Sequence, residues 1–359
     1  MFEELVRAWD GELVAVRFDE SAGAWILVGV HSTALGPGFG GTRMKVYPSP
    51  EDALRDVLRL SSAMTSKNAM ADLPFGGGKS VLAVPAMPSG DARDELLRRY
   101  AGFVASLGGS YVTACDMNTT EHDMAVVAAS CPFVMGAPVE AGGSGSSAPD
   151  TAVGVYHGIR ASLERAFGSD DPAGRTIAIQ GVGAVGGPLA ERLADVGAKL
   201  VVADVDEGRA RATAERLGAD VAPAEAILEA SCDVLAPCAT GGVLNVGTIP
   251  RLRCRAVAGA ANNQLATPED ADRLAAGGIL YAPDYVVNAG GVLHLAGYER
   301  LGWSAAEMAE RLAGIGETLR RVFDAADREG VTPEAAAAAM ARERIAAARL
   351  GRTTTGPDA

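Results

Sequence analysis

A glycine-rich turn at residues 181–186 constrains the fold of this chain more than any other segment. It reads Gly-Val-Gly-Ala-Val-Gly, directly follows the apolar run TIAIQ (176–180) and leads into the helical stretch PLAERLADVG. Strand, turn and helix in this order predict a β-α-β unit whose helix amino terminus faces an anion. The first glycine allows the tight turn, the second lets the backbone approach a pyrophosphate, and the third lets helix and strand pack closely.

An acidic residue at the end of the next strand indicates which dinucleotide binds. Asp204 ends the run KLVVAD, 23 residues after Gly181. A carboxylate there accepts hydrogen bonds from the ribose hydroxyls of NAD and repels the 2′-phosphate of NADP. The alternative is a glycine turn with a surface aspartate, but strand, helix and acid together favour NAD. The predicted cofactor-binding residues are Gly181, Gly183, Ala184, Val185, Gly186 and Asp204.

Two segments with different patterns meet near AGGSGSSAPD (141–150), where glycine and serine predict a boundary loop. After it, short apolar runs alternate with helical stretches, as is typical of a doubly wound parallel sheet. Before it, β-rich runs at 24–32 and 110–116 alternate with helices, one of which should begin at Ser49-Pro50. We therefore predict an α/β protein with two domains, a substrate and catalytic domain (1–145) and a Rossmann-type NAD domain (146–330).

Charge and cysteine content exclude several classes of protein. The 45 acidic and 32 basic residues give a net charge of −13, which disfavours nucleic acid and anionic membranes as partners. Five cysteines, an odd number without a CxxC pair, fit reduced thiols better than a disulfide framework. The acidic start MFEELVRAWDGE is unlike a signal peptide. We expect a cytoplasmic protein.

Two lysines in unusual surroundings are the candidate chemical groups. Lys67 lies in MTSKNAM and Lys79 in LPFGGGKSV; the latter is not a phosphate-binding loop, because Leu73 stands where that motif needs glycine. Two desolvated lysines disfavour each other's charge, so one can act as a base while the other binds a carboxylate. We expect the three glycines before Lys79 to let the backbone run close to a ligand. Asp116 is either the third member of this site or an ordinary strand-end aspartate.

Six ordered blocks resemble the glutamate/leucine/phenylalanine/valine dehydrogenase family over nearly the whole chain. They are LGPGFGGTRM, MTSKNAMADLPFGGGKS, TACDMNT, GVGAVGG, VAGAANNQL and YVVNAGGVLHL. The resemblance implies a substrate domain, to which a C-terminal helix (about 331–350) returns, an NAD domain, and a cleft between them that closes during turnover. It also implies a homo-oligomer built through the substrate domain and an activity that needs no metal.

The same resemblance implies roles for individual residues. Lys67 is similar to the lysine that holds the substrate carboxylate, and Lys79 to the base that activates water. Asp116 is similar to the acid that exchanges a proton with the amino group. Asn262 corresponds to an asparagine at the substrate and the nicotinamide, Ala239 to a cofactor contact, and Gly40 and Gly41 to substrate contacts.

Substrate choice should depend on apolar wall residues, because a hydrophobic pocket discriminates by size. By resemblance the wall carries no charge; it consists of Phe39, Gly40, Met64, Ala114, Val292 and Leu295. Ala114 and Val292 match the leucine and valine enzymes, whereas RFDESAGAW, LPFGGGKSV and GVTPEAA resemble actinobacterial phenylalanine dehydrogenases. Phe39 fits neither group and is either an aromatic wall or a core residue. We predict NAD-dependent oxidative deamination of a hydrophobic L-amino acid to its 2-keto acid and ammonium, with leucine or valine ahead of phenylalanine.

Two other functions are less consistent with the sequence than amino acid dehydrogenation. A non-catalytic NAD-binding sensor has no need for two lysines beside a carboxylate. A hydroxy acid dehydrogenase needs a histidine with a carboxylate partner, and no such pattern is visible around the four histidines. We expect His294, between two wall positions, to face away from the pocket and to be structural.

Overall fold

The computed structural model describes residues 2–354, which form two compact units. The first unit runs to Ser146 and also contains Leu295–Gly302 and the chain from Ala341 onward. The second unit consists of Ser147–His294 and Trp303–Met340. Neither unit is continuous in sequence, because the chain returns to the first unit twice.

The first unit is a mixed α/β structure, as its alternating pattern predicts. Its elements before residue 147 are α1 (Phe2–Trp9), β1 (Leu13–Asp19), β2 (Ala24–Ser32), β3 (Gly38–Phe39), β4 (Thr42–Lys45), α2 (Pro50–Met70), β5 (Gly76–Ala83), α3 (Gly90–Ala105), β6 (Tyr111–Val112) and α4 (Glu121–Ala128).

Six strands form the sheet of the first unit, in the order β1-β2-β5-β3-β6, with β4 also paired to β5. β2 runs antiparallel to β1 and β5, whereas β3 and β4 run parallel to β5. Alternate residues of β2 pack on opposite sides: Ile26 and Val28 join a cluster with α3, and Leu27 joins one with α2. The sheet is therefore covered on both faces, and each large aliphatic side chain buried there contributes about 1.5–3 kcal/mol.

Helix α2 begins where the sequence predicts it. The Ser49 side chain accepts a hydrogen bond from the Asp52 backbone N at 3.1 Å, and Pro50 occupies the first helical position. Leu54, Val57, Leu58 and Ser61 are buried on one face. The packing of this face against the sheet positions the last two turns of α2, which carry Met64 and Lys67.

Glu299 ties a late segment of the chain into the first unit. It lies in a π-helical turn (Gly297–Leu301) that follows α10 (Gly290–Ala296). Its carboxylate accepts hydrogen bonds from the backbone N of Gly136, at 3.0 and 3.1 Å, and from Ser144 N at 3.0 Å and Ser144 Oγ at 2.5 Å. One side chain thus satisfies several donors of the 136–144 segment.

The second unit contains the parallel sheet that the glycine turn predicts. Its strands and preceding helices are α5 (Ala148–Phe167), β7 (Thr176–Gln180), α6 (Gly186–Asp195), β8 (Lys199–Ala203), α7 (Glu207–Leu217), β9 (Asp220–Val221), β10 (Val234–Pro237), β11 (Ala256–Val257), α8 (Asp270–Ala276) and β12 (Leu280–Tyr281). The remaining helices are α9 (Asp284–Val287), α10, α11 (Ala305–Glu329) and α12 (Pro333–Thr354).

All strands of the second sheet are parallel, in the order β12-β11-β10-β7-β8-β9. The order reverses direction at β7, the strand before the glycine turn, which confirms the predicted doubly wound arrangement. Several strands are shorter than the apolar runs that predict them. The run AVAGA (256–260), for example, supplies only the strand Ala256–Val257.

The sequence also predicts the starts of two late helices, from the capping-box pattern Ser304-x-x-Glu307 and from Thr332-Pro333, and both caps are present. Ser304 and Glu307 form a capping box at α11, and the Ala335 backbone N donates to Thr332 Oγ1 at 3.3 Å before α12. Helix α12 extends from the second unit into the first, which contains its residues from Ala341 onward. Across residues 2–354, no helix combines the length and the apolar character needed to cross a bilayer.

Candidate active site

Backbone pairing around β3 brings three segments of the first unit together. Gly40 N donates to Val112 O at 3.2 Å, and Thr42 N donates to Ala114 O at 2.8 Å. On the other side, β4 pairs with β5 with Thr42 opposite Ser80. Lys79 of β5 and Asp116, just beyond β6, are therefore neighbours across the sheet.

Asp116 lies between two cationic side chains. Its Oδ1 is 3.1 Å from Lys79 Nζ, and its Oδ2 accepts a hydrogen bond from Arg43 Nε at 2.9 Å. Lys79 is only 5% exposed. The strand-end carboxylate is thus held from both sides by charge-assisted hydrogen bonds, which are stronger than neutral ones.

Burial and neighbouring charges set the protonation of this group. Burial lowers the pKa of Lys79, the Asp116 carboxylate partly opposes this, and the Arg43 guanidinium lowers the pKa further. Burial alone would raise the pKa of Asp116, but Lys79 and Arg43 outweigh it and lower that pKa. Asp116 therefore stays ionised, and Lys79 gives up its proton more easily than a solvated lysine.

Arg43 is held by a second carboxylate that the sequence analysis did not single out. Its NH1 contacts Asp56 Oδ2 at 3.0 Å, and the hydroxyl of Tyr47 donates to the same oxygen at 2.7 Å. Arg59 NH2 adds a contact to Asp56 Oδ1 at 2.8 Å. Arg43 lies in the block LGPGFGGTRM, so the block that carried the resemblance also contained this missed residue.

Close packing explains why the three residues before Lys79 are glycines. A Cβ on Gly77 would lie 2.0 Å from Thr65 Oγ1 and 2.2 Å from Thr65 N, and one on Gly78 would lie 2.6 Å from the Tyr111 ring. A Cβ on Gly76 would lie 1.8 Å from Ser32 O. Protein atoms occupy the space that side chains here would need, so packing inside the first unit requires glycine at these three positions; the approach of a ligand to this backbone stays a prediction.

Gly40 and Gly41 lie against the Lys79–Asp116 pair. A Cβ on Gly40 would meet Gly78 O at 2.1 Å and Met64 Cγ at 2.9 Å. A Cβ on Gly41 would meet Cys115 O at 2.2 Å and Asp116 Cβ at 2.9 Å. Only glycine allows strands this close, so both residues are needed to bring Lys79 and Asp116 together.

Lys67 lies on the last turn of α2 and is half-buried. The next residue, Asn68, is fully buried and donates from Nδ2 to Phe39 O at 3.2 Å and to Gly76 O at 2.6 Å. These bonds fix the end of α2 to β3 and β5. They also fix the height of Lys67 over the sheet that carries Lys79.

Phe39 is buried, and its ring packs against Phe75 with the ring centroids 5.5 Å apart. This contact accounts for an aromatic residue at position 39 without any substrate. Ala114 is also buried, and Val292 and Leu295 lie on α10.

In the second unit the glycine turn has the geometry that a dinucleotide requires. Gly181 has φ +90°, and a Cβ there would lie 2.8 Å from Ala239 Cβ. A Cβ on Gly186 would lie 1.9 Å from Gly181 O, whereas one on Gly183 would meet only an Arg209 nitrogen, at 3.9 Å. Helix α6 begins here without a side-chain cap or an acidic first turn. The space at Gly183 and the uncapped amino terminus fit a pyrophosphate.

Asp204 lies beside this turn, at the end of β8. Its Oδ2 accepts a hydrogen bond from Val182 N at 3.0 Å, and its Oδ1 accepts one from Asp206 N at 2.9 Å. Arg209 NH1 is 3.4 Å from both oxygens. The backbone donors orient the carboxylate, and the half-exposed Arg209 adds a cation that the sequence analysis did not consider.

Asn262 lies in the loop that follows β11. Its Oδ1 accepts a hydrogen bond from Asn288 Nδ2 at 2.8 Å, and Asn288 Nδ2 also donates to Ala260 O at 3.1 Å. A Cβ on Gly241 would lie 2.5 Å from Asn262 O, so the loops after β10 and β11 touch. Ligands of parallel sheets bind at these carboxyl ends. Asn288, missed earlier, lies in the block YVVNAGGVLHL and orients the predicted asparagine.

The structure corrects the interpretation of the histidines. His294 Nδ1 is 2.7 Å from Asp150 Oδ2, so one histidine does have a carboxylate partner. The partner could not be found from the sequence because Asp150 lies 144 residues away, on α5. His294 is buried at this helix contact. Among residues 2–354, no three histidine, cysteine or acidic side chains are grouped as metal ligands.

Comparison with known proteins places the chain in a family. The profile of the Glu/Leu/Phe/Val dehydrogenase dimerisation domain matches residues 19–132, and that of the Glutamate/Leucine/Phenylalanine/Valine dehydrogenase domain matches residues 202–352. Leucine dehydrogenase of Thermoactinomyces intermedius is 40% identical over 98% of this chain and 95% of its own. Valine dehydrogenase of Streptomyces albus is 44% identical over 95% of this chain and 94% of its own.

A solved structure agrees with these relatives. The crystal structure of L-tryptophan dehydrogenase from Nostoc punctiforme superposes with a TM-score of 0.84 and 37% identity, over 97% of this chain and 99% of that one. The chain therefore belongs to the glutamate/leucine/phenylalanine/valine dehydrogenase family, and it is an amino acid dehydrogenase.

Proposed function

We propose that this enzyme oxidatively deaminates a branched-chain L-amino acid, leucine or valine, with NAD as the oxidant. The observation that carries the chemistry is the buried Lys79 beside an ionised Asp116, at 3.1 Å. A lysine whose pKa is lowered by burial can be neutral under conditions in which a solvated lysine cannot. Neutral Lys79 is a base, and Asp116, which is ionised in the free enzyme, is a second group that can accept a proton and return it within one turnover.

In the proposed reaction Lys67 binds the substrate carboxylate through its ammonium group. Asp116 accepts a proton from the substrate ammonium, so that the amine lone pair is available when the hydrogen leaves the α-carbon. Lys79 then takes a proton from water as the water attacks the iminium carbon. Asp116 returns its proton to the amino group. The C–N bond then breaks while the new hydroxyl group loses its proton to solvent, so that ammonia and the 2-keto acid are released, and Lys79 gives up its proton to solvent before the next turnover.

The residues of the glycine turn fit NAD. Gly181, Gly183, Ala184, Val185 and Gly186 would hold the pyrophosphate, and Ala239 would lie beside it. When bound, NAD supplies the acceptor for the hydride from the substrate α-carbon. Asp204 would bind the ribose hydroxyls, and Asn262 would contact the nicotinamide and the substrate.

Branched-chain specificity is supported by the small, uncharged residues Ala114 and Val292 and by the names of the leucine and valine dehydrogenases among the relatives. A glutamate substrate would leave a carboxylate facing an apolar wall, which is costly without a cation. An aromatic substrate is the second candidate, because the tryptophan dehydrogenase shares this fold at 37% identity. Substrate size is therefore the property to test.

The test measures steady-state rates with valine, leucine, phenylalanine, tryptophan and glutamate as substrates. The formation of NADH is monitored by its absorbance. We expect kcat/KM for the best branched-chain substrate to exceed that for phenylalanine by at least about tenfold, the lower end of the range of about 10–200-fold that size discrimination by a hydrophobic pocket gives. A higher kcat/KM for either aromatic substrate would reverse the assignment. Measurable NAD binding without turnover of any amino acid would support the sensor instead.

The same assay tests the cofactor through Asp204. Asp204→Ser should raise KM for NAD and lower the preference for NAD over NADP, because the carboxylate that repels a 2′-phosphate is gone. Glu207→Ser is the control, since Glu207 is an exposed acid on the following helix. Unchanged cofactor preference in Asp204→Ser would contradict its role.

We also propose a cytoplasmic homo-oligomer. The five cysteines are free, as in a reducing compartment. The matching dimerisation-domain profile at residues 19–132 supports association through the first unit. Light scattering of the purified chain tests the oligomer.

A further inference from the structure

Two cysteines of the second unit lie opposite each other where β10 and β11 begin. The two strands are parallel, with Val234 opposite Ala256. Continuing this register back by two residues places Cys232 opposite Cys254. The backbone N of Cys232 donates to Arg253 O at 3.2 Å, and Arg255 N donates to Asp233 O at 3.1 Å, so the ladder reaches the two cysteines.

The two thiols lie in the same apolar cluster. The side chain of Cys232 packs against the buried residues of this cluster, which include Cys254. Neighbouring strands lie about 4.8 Å apart, which is inside the range of about 4.4–6.8 Å between the Cα atoms of a disulfide. A bond between these sulfur atoms therefore requires little movement of the backbone.

Each thiol shifts the pKa of the other: that of Cys254 is lowered, against the effect of burial, and that of Cys232 is raised. Burial raises the pKa of Cys115 and of Cys238 to about 12 and also raises that of Cys131. Because the thiolate is the reactive form, we assign Cys254 as the attacking thiol, and single variants test that order.

The surroundings admit a small oxidant. Cys254 is 9% exposed and belongs to the apolar cluster with Ile249 and Leu235, while Cys232 is partly buried at the edge of that cluster. The pair precedes its strands and is thus at the amino ends of the sheet, whereas the glycine turn follows β7 at the carboxyl end. Neither cysteine has a part in the chemistry proposed above.

We propose that Cys232 and Cys254 are an oxidation site for hydroperoxides that closes reversibly to a disulfide. The Cys254 thiolate attacks one peroxide oxygen, the O–O bond breaks, and the departing oxygen takes up a proton to leave as water or an alcohol. Cys232 then attacks the sulfur of the Cys254 sulfenic acid; the S–S bond forms, the S–O bond breaks, and water leaves with the proton of Cys232. The two thiols supply the two electrons that reduce the peroxide.

The test uses the reduced full-length chain and hydrogen peroxide as the probe. After timed exposure, free thiols are blocked under denaturing conditions and the protein is digested for peptide mass spectrometry. We expect the first product to be a peptide pair joined through Cys232 and Cys254. The bond should lie within one chain, so that no crosslinked dimer appears on a non-reducing denaturing gel, and dithiothreitol should remove it. Faster loss of Cys115, Cys131 or Cys238, or oxidation of Cys254 to a sulfinic acid without any linked peptide, would overturn the proposal.

Single variants test the order of the two steps. In Cys232→Ser, Cys254 should still react, and its sulfenic acid should be trapped by dimedone, because no thiol is present to resolve it. In Cys254→Ser, the rate of peroxide-dependent thiol loss should fall at least about tenfold, to that of the cysteines whose pKa is raised. Cys131→Ala is the control and should form the linked peptide at the wild-type rate. Rapid loss of Cys232 in Cys254→Ser would contradict the assignment of Cys254 as the attacking thiol.

Discussion

Replacing Lys79 with methionine removes the proposed base while nearly keeping the length of the side chain. General bases contribute about 10²–10⁴-fold to a rate, so kcat should fall by this factor, or about 3–5 kcal/mol in barrier height. At 5% exposure, Lys79 cannot readily be replaced by bulk water acting as the base. The free energy of unfolding should fall by about 1–3 kcal/mol. This is less than the loss for a fully broken buried ion pair, because Asp116 keeps its second partner, Arg43, at 2.9 Å.

The assay for Lys79→Met combines steady-state and rapid-mixing measurements of NADH absorbance. Lys79 acts on water after the hydride has left, so the variant should still form NADH in a first-turnover burst and then turn over slowly. Lys199→Met is the control, since Lys199 is an exposed lysine of the second unit. A steady-state rate within tenfold of the wild type would remove Lys79 as the base, and loss of the burst would place it in an earlier step.

Two further predictions concern charge and packing in the first unit. Arg43 lowers the pKa of Lys79, whereas Asp116 raises it. The rising limb of kcat/KM against pH should therefore move to higher pH in Arg43→Gln and to lower pH in Asp116→Asn. Movement of the limb in the same direction in both variants would contradict the electrostatic account. Gly77→Ala places a Cβ 2.0 Å from a buried hydroxyl and should lower the free energy of unfolding in urea by at least about 1–3 kcal/mol. In contrast, Gly102→Ala, in helix α3 with nothing within 4 Å, should raise it by about 0.5–1 kcal/mol. Equal effects of the two alanines would refute the packing explanation.

Local signals predicted much of the fold. The glycine turn, the strand TIAIQ and the caps at Ser49 and Ser304 act over a few residues, and each element begins where its signal stands. Strand ends were less predictable, because the β-rich run SYVTACD (110–116) continues beyond the ladder that ends at Val112. Its next residues pair only through isolated bridges, Thr113 with Val134 and Cys115 with Thr42.

The chemical site was only partly accessible from the sequence. Lys79 and Asp116 could be selected as unusual residues, and the structure places their charged atoms 3.1 Å apart. The network behind them could not be found in this way, because Arg43, Asp56 and Tyr47 look like ordinary surface residues until β4 and α2 bring them together. The His294–Asp150 pair was missed for the same reason, since pairing across 144 residues has no local pattern.

The hydrogen bonds of Glu299 have a consequence for synthesis on the ribosome. The amides of Gly136 and Ser144 are made more than 150 residues before the carboxylate that they bind. Until that carboxylate emerges, water must satisfy these donors, and the N-terminal segment lacks one of its tethers. A nascent chain of this enzyme can thus assemble most of its first sheet early, but it completes this loop only after almost the entire nucleotide-binding segment has been translated.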